Sequence, residues 1–290
     1  MMKTIFTCLL FSLVTSASAE DFRPNIGPEL PSITVKCGEV TILLRQSTQW
    51  TPGRIDFRGT PMTTERSAYG TVFRYPEIGF IGTAHLENEP EDLQSLAFFL
   101  DGKELTTLQA TLQGETFRFV RRSKIRGFIL TNIFEIKENR FYETTTVEAD
   151  VETHLDLVYH FMHAWTPTAS ELIAGNDATP EEDIHQPLLD DEKFARLFYI
   201  NRVVDWLSIY EPNSQQFAVS RILSAPKETE SISMVWNVPK TYRKYYLKAF
   251  QSQKVPKGFA GTWKMVTAFG HEDPGKWQPA AKKLARELRN

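Results

Sequence analysis

Apolar and polar residues alternate over many short segments of this chain, which is the pattern of half-buried β-strands. Val40, Ile42 and Leu44 show the period of two near the start of the chain. Further on, Asp101-Gly102 is a two-residue hairpin signal between two such segments. Phenylalanine, tyrosine, threonine and valine fill these segments, as strands prefer. The pattern therefore predicts a long series of antiparallel strands joined by tight turns.

A clear helical pattern occurs at the C-terminus. One face of that helix carries the apolar residues Trp277, Ala281, Leu284, Ala285 and Leu288. Many strands and one helix predict an all-β fold, a large antiparallel β-sandwich with a C-terminal helix. We find no linker and no internal repeat, and all-β domains of this size are often single. Residues 20–290 are therefore expected to form one domain.

The composition changes in one place, an acidic segment around residues 170–193. We expect this segment to be a loop inserted after a strand, because it is rich in charged and turn-forming residues. It would be either a lid over a site or a solvent-exposed loop.

The first 19 residues have the pattern of a cleavable signal peptide. Lys3 precedes an apolar stretch, and Ala17 and Ala19 occupy the −3 and −1 positions of a cleavage site. Its loss would leave Cys37 as the one cysteine and change the formal charge from −3 to −4. An exported chain without an intramolecular disulfide fits a bacterial periplasm or exterior, so we expect a periplasmic or secreted protein.

Charge and missing motifs exclude several functions. The acidic balance disfavours a nucleic-acid partner, and no later apolar run approaches the roughly 20 residues of a membrane span. The sequence has no Walker A loop, Rossmann glycine pattern, nucleophile elbow or H-E-x-x-H helix, which disfavours the corresponding chemistries. The oligomeric state is left open.

Two histidines lie three apart in the apolar segment "DLVYHFMHAW". In a regular strand Tyr159, Phe161, His163 and Trp165 would share one face and His160 the other, unless a bulge intervenes. His163 is the stronger functional candidate, since it lies near the strand end and ahead of the acidic segment. The alternative is a core or rim histidine bonded to backbone or to a carboxylate.

A second candidate constellation is "TAHLENEPED", where His85 and Glu87 would face the same way in an extended chain. A histidine and a carboxylate on one face suit general acid/base catalysis. They also suit two of three ligands of a single divalent metal, with His163 as the third. The alternatives are that no cofactor is bound and that the segment is a solvated strand end.

Residues that would hold a sugar are predicted from charge and aromaticity. Arg122 and Arg126 could bind a carboxylate or sulfate bidentately, although the same pattern fits an exposed charged sheet face. Glu143 is a further carboxylate candidate. Tyr159 and Trp165 are candidates for the sugar site. Further aromatic residues, expected to be exposed, could stack on sugar rings, although most aromatics in a sheet protein are core: Trp50, Trp236, Tyr242, Tyr245 and Tyr246.

The segments "YHFMHAW" and "YGTVFRYPEIGFIGTAHLEN" and the long meander resemble the galactose mutarotase-like super-sandwich, over most of Ile33 to Phe269. That family includes aldose 1-epimerases and the sandwich domains of polysaccharide lyases and glycoside hydrolases. In the epimerases, a histidine acts as general acid and a glutamate as general base across the sugar ring. The resemblance implies sugar recognition on a concave sheet.

These observations favour an exported carbohydrate-active protein that acts on or recognises a sugar or polysaccharide, including uronate-containing ones. As an enzyme it would be a lyase, a glycoside hydrolase or an epimerase, with His85, Glu87 and His163 in acid/base or ligand roles. The rival hypotheses are a non-catalytic carbohydrate-binding module and an envelope structural protein.

Overall fold

The computed structural model describes residues 27–67, 70–83, 85, 88–89, 91–180, 183–190 and 198–289. Its first strands are β1 (Ser32–Cys37), β2 (Val40–Arg45), β3 (Pro52–Phe57), β4 (Thr60–Pro61), β5 (Thr71–Tyr75), β6 (Gly79–Gly82), β7 (Asp92–Leu100), β8 (Lys103–Glu104), β9 (Thr111–Gly114), β10 (Phe117–Ile125), β11 (Phe128–Lys137) and β12 (Arg140–Ala149). The later strands are β13 (Thr153–Leu155), β14 (Leu157–Trp165), β15 (Glu171–Gly175), β16 (Ile184–Pro187), β17 (Phe198–Arg202), β18 (Trp206–Glu211), β19 (Gln216–Ser224), β20 (Ile232–Val238), β21 (Tyr242–Ala249), β22 (Gln253–Val255) and β23 (Ala260–His271). One α-helix, α1 (Trp277–Glu287), follows them.

Two large sheets form the sandwich. The ten-stranded sheet has the order β16-β15-β18-β19-β23-β12-β11-β10-β7-β8, and the six-stranded sheet has the order β17-β20-β21-β14-β5-β6. A five-stranded sheet, β4-β3-β2-β1-β9, and the pair β13-β22 complete the fold. Every strand pair is antiparallel except β1 with β9. The all-β antiparallel sandwich predicted from the period of two is confirmed.

The core lies between the facing sheets and follows from the alternation of apolar residues. On β11 and β12 every second side chain is buried. Phe73 of the six-stranded sheet stacks on Phe128 of the ten-stranded sheet, with ring centroids 4.6 Å apart. Phe57 of the five-stranded sheet stacks on Phe269 of the ten-stranded sheet at 5.4 Å. One hydrophobic core thus joins the three sheets.

Helix α1 covers part of the other face of the ten-stranded sheet. Trp277 is fully buried and stacks on Tyr210 with ring centroids 4.9 Å apart, while Ala281 and Ala285 face the same cluster. The apolar face predicted for the C-terminal helix is therefore the one that packs. Among the described residues, no helix is long and apolar enough to cross a membrane.

The segment around residues 170–193 differs from the loop expected there. β15 and β16 lie within it and pair antiparallel at the edge of the ten-stranded sheet. Leu172 and Ala174 are buried in the main core, which is why this part of the acidic segment is a strand. Residues 181–182 and 191–193 lie outside the described residues.

Candidate functional site

A β-bulge in β14 decides where its side chains point. The register with β21 shifts between His160 and His163, and Phe161 has a left-handed backbone with φ 56°. Both histidines are fully buried and contact the ten-stranded sheet. The regular alternation predicted from the sequence is thus broken, and His160 and His163 face the same side, the interior of the sandwich.

His163 pairs with Glu143 of β12 across the core. Its Nε2 lies 2.7 Å from Oε2 of Glu143, and both side chains are fully buried. The rings of Trp165 and Tyr245 lie edge-on to the imidazole at 5.1 Å and 5.9 Å. Burial raises the pKa of Glu143, and the neighbouring His163 opposes that shift. The pair links the two large sheets inside the core.

His160 occupies a drier part of the same interior. Its Nδ1 lies 3.0 Å from Oγ1 of Thr71, and its ring lies 4.3 Å from that of Trp263. Burial lowers the pKa of His160 to about 3. This imidazole is therefore neutral in the folded protein at neutral pH, and it behaves as a core residue.

On the outer face of the six-stranded sheet, Tyr159 is the centre of a ring cluster. Its hydroxyl lies 2.6 Å from Nε2 of His85, which is partly exposed. Phe80 stacks on His85 with centroids 5.2 Å apart, and Tyr246 lies 5.0 Å from Tyr159. A titratable imidazole thus meets an aromatic surface at the edge of solvent.

Lys244 completes this cluster. Its Nζ lies 5.0 Å from the ring centroid of Tyr159, 5.3 Å from that of Tyr246 and 5.6 Å from that of Trp236. Burial lowers the pKa of Lys244 to about 8. We call these four residues, with His85, the aromatic face.

The structure separates the residues that the sequence grouped as catalytic. His85 lies on the outer face of the six-stranded sheet and His163 on its inner face, while Glu87 lies outside the described residues. Trp165, 1% exposed, belongs to the core, and so do Trp50 and Tyr245, which were expected to be exposed. Tyr159 is the predicted sugar-site residue that lies on the aromatic face.

The two predicted arginines lie on or beside β10 of the ten-stranded sheet. Arg122 is exposed and opposite Ser95 of β7. Arg126 pairs with Glu89 at 2.8 Å and covers the ring of Tyr75. Within the described part of the chain, no three histidine, cysteine or acidic side chains cluster as metal ligands would. The roles assigned to these residues from the sequence stay predictions.

Sequence reasoning missed Lys244 and Phe80. In "TYRKYYLKAF" Lys244 stands at a spacing of two from Tyr242 and Tyr246, so the strand period already placed it on one face with them. The ring of Trp236 lies near Lys244 because β20 pairs with β21, and that pairing cannot be read from the local sequence pattern.

No family model matches the chain, and no curated protein matches its sequence. Its fold, however, is similar to solved structures. The Slr1438 protein from Synechocystis sp. PCC 6803 superposes with a TM-score of 0.53 at 8% identity, covering 87% of this chain and 100% of that one. A GH36 alpha-galactosidase from Geobacillus stearothermophilus matches with a TM-score of 0.52 at 10% identity, over 85% of this chain and 41% of the galactosidase.

A galactose mutarotase related enzyme from Lactobacillus acidophilus is also similar, with a TM-score of 0.43 at 11% identity over 84% of this chain and 98% of that one. The neighbours thus include mutarotase-like proteins and galactosidase domains, at low identity. The resemblance predicted from the sequence is confirmed for the fold alone, which the Slr1438 protein and the alpha-galactosidase share at TM-scores above 0.5.

The buried His160 should make the free energy of unfolding depend on pH. Its pKa is lowered to about 3 in the folded state, whereas an unfolded histidine binds a proton below about pH 6.5. Stability from this residue is therefore present above pH 6.5 and lost as the pH falls toward 3, by roughly 1.4 kcal/mol per pH unit.

Urea unfolding at pH 7, 6, 5 and 4 would measure this loss against the His160→Gln variant, which cannot titrate. His154→Gln, at an exposed position, is the matched control and should follow the unsubstituted protein. Parallel curves for the unsubstituted protein and His160→Gln would contradict the prediction.

The His163–Glu143 pair should behave as one unit in stability. Glu143→Leu leaves the buried imidazole without that carboxylate, and we expect a loss of about 3–5 kcal/mol. The double variant Glu143→Leu/His163→Leu should lose less than either single variant, because it removes both polar groups together. Urea unfolding in a double-mutant cycle measures the coupling, and strictly additive losses would refute it.

Proposed function

We propose that this protein recognises a carbohydrate on the aromatic face of its six-stranded sheet. The observation that carries the proposal is the convergence of the half-buried rings of Tyr246 and Trp236, with the buried ring of Tyr159, around Lys244. Aromatic rings offer flat apolar faces to the C–H faces of sugars, and the phenols add hydrogen bonds. The carbohydrate-related names of the structural neighbours support the same class of ligand.

Acid/base chemistry on the bound sugar is the finer part of the proposal. His85 is partly exposed, and its Nε2 shares a short hydrogen bond with the Tyr159 hydroxyl. An imidazole is the side chain whose proton affinity suits transfer near neutral pH. Glu87, two residues further along, is the carboxylate that the sequence offers as its partner. His163 is excluded from this step by its position in the core.

We also propose that the protein is exported, since its first 19 residues have the pattern of a signal peptide. Expressed with its own N-terminus in a bacterial host, the mature chain should begin at Glu20 and lie in the periplasm or medium. Replacing both Ala17 and Ala19 by Asp should leave an uncleaved chain. Intact mass and N-terminal sequencing of each fraction measure this, and an uncut chain in the cytoplasm contradicts it.

If the sugar stacks on the aromatic face, removing one of its rings should weaken binding. Trp236→Ala and Tyr246→Ala should each weaken oligosaccharide affinity by about 10-fold, since an aromatic contact of this kind is worth roughly 1 kcal/mol or more. Tyr142→Ala is the matched control, because Tyr142 stacks with a lysine, Lys137, on the ten-stranded sheet. Titration calorimetry with a panel of neutral and acidic oligosaccharides gives the affinities.

The same panel tests the chemistry by reducing-end release, unsaturated-uronate absorbance and anomer exchange. His85→Gln should slow product formation by about 10²- to 10⁴-fold while leaving affinity unchanged. Binding without any product would refute catalysis and leave a binding module. Failure to bind any saccharide would overturn the proposal as a whole and favour an envelope structural protein.

A further inference from the structure

We propose that Lys244 is the anchor for the anionic group, a carboxylate or a sulfate, of an acidic saccharide held on the aromatic face. This inference rests on the proposed function, because it names the ligand class of the same surface. It differs from the sequence-based expectation, which assigned that role to Arg122 and Arg126.

The first support is the surroundings of the Lys244 ammonium. The ring centroids of Tyr159, Tyr246 and Trp236, on three different strands, lie 5.0–5.6 Å from Nζ. Ring faces attract the cation but cannot accept the three directed N–H bonds that an ammonium makes in water. Among the described residues, no carboxylate lies within ion-pair distance of Nζ and no hydrogen-bond acceptor is assigned to it.

Three cations elsewhere on this protein, two of them buried and one half-buried, have anionic partners. Arg221 pairs with Asp177. Arg243, the neighbour of Lys244 in sequence, pairs with Asp190 at 3.1 Å. Lys282, more exposed than these, pairs with Asp183 at 2.7 Å. Lys244 has no such partner among the described residues, and a desolvated charge without a counter-ion is costly unless a ligand supplies one.

The second support is the sign of the charge on this face. Lys248 lies on the same side of β21 as Lys244, and burial lowers its pKa. Arg74 covers the ring of Phe80 at 5.5 Å, and Asp156, 3.4 Å from Arg74, is its counter-ion. The described cations on the face therefore exceed the carboxylates, and the resulting positive potential favours an anionic ligand.

The positions of Arg122 and Arg126 do not suit either arginine to this role. Arg126 is already paired with Glu89, and Arg122 projects from the ten-stranded sheet. Lys244, by contrast, is in contact with the rings that would carry the sugar. A saccharide stacked on Trp236 or Tyr246 would bring an equatorial carboxylate or a sulfate ester within reach of Nζ.

The test compares matched acidic and neutral ligands by titration calorimetry at low ionic strength. Oligogalacturonate is compared with the neutral oligogalactan, and a sulfated galactan oligosaccharide with its desulfated form. The unsubstituted protein should prefer at least one acidic member by 10-fold or more, and the preferred pair identifies carboxylate or sulfate. Lys244→Met should weaken acidic binding by about 10- to 100-fold and leave neutral binding within about 2-fold.

Two further variants keep the result interpretable. Lys244→Arg retains a cation and should retain most of the acidic preference. Lys137→Met, which removes an exposed lysine from the ring of Tyr142, should change nothing. Lys244→Met removes a desolvated charge, so its urea midpoint should equal or exceed that of the unsubstituted protein, which checks folding.

The inference and the proposed function fail in different ways. If acidic and neutral ligands bind equally, or if Lys244→Met keeps the acidic preference, Lys244 is not the anchor. In that case the aromatic site still stands when Trp236→Ala weakens both ligands. If no saccharide binds, or if binding is indifferent to Trp236→Ala and Tyr246→Ala, the proposed function itself is overturned.

Discussion

The bulge in β14 is the constraint on which both faces of the six-stranded sheet depend. Side chains in a strand alternate, so one added residue moves everything beyond it to the opposite face. Phe161, with its left-handed backbone, takes up that residue and turns His163 inward beside His160. Without the bulge His163 would share the outer face with Tyr159, and Glu143 would be a carboxylate buried in the core without the imidazole that now pairs with it.

Buried polar groups pair both between the two large sheets and within the ten-stranded sheet. His163 reaches Glu143 across the sandwich, and Arg121 of β10 reaches Glu91 at 2.7 Å with both side chains fully buried. Asn132 lies beside Arg121 and donates to Thr145 of β12. Such pairs add little net stability, but each forms in one register of the strands only. We infer that they select that register among alternatives that apolar packing would tolerate.

The sequence was sufficient for the features that depend on local pattern. The strands β10 to β12 and the packed face of α1 follow from periods of two and 3.6, and Asp101-Gly102 predicts the turn between β7 and β8. The position of the bulge could not be predicted, because it is defined by the register of β14 against β21, a strand distant in sequence. The surroundings of Lys244 were hidden for a similar reason, since they need β14, β20 and β21 in register.

The difference in burial also separates what the two histidine sites can do. His163 and Glu143 bind each other inside the core, and both side chains are fully buried, so the pair presents no atom to a ligand. His85 is partly exposed and its partner, Tyr159, also presents its ring face to Lys244. Tyr159 therefore connects the imidazole of His85 to the ammonium of Lys244 across one side chain. A sugar bound on this face would meet rings, imidazole and ammonium together, which the interior pair cannot offer.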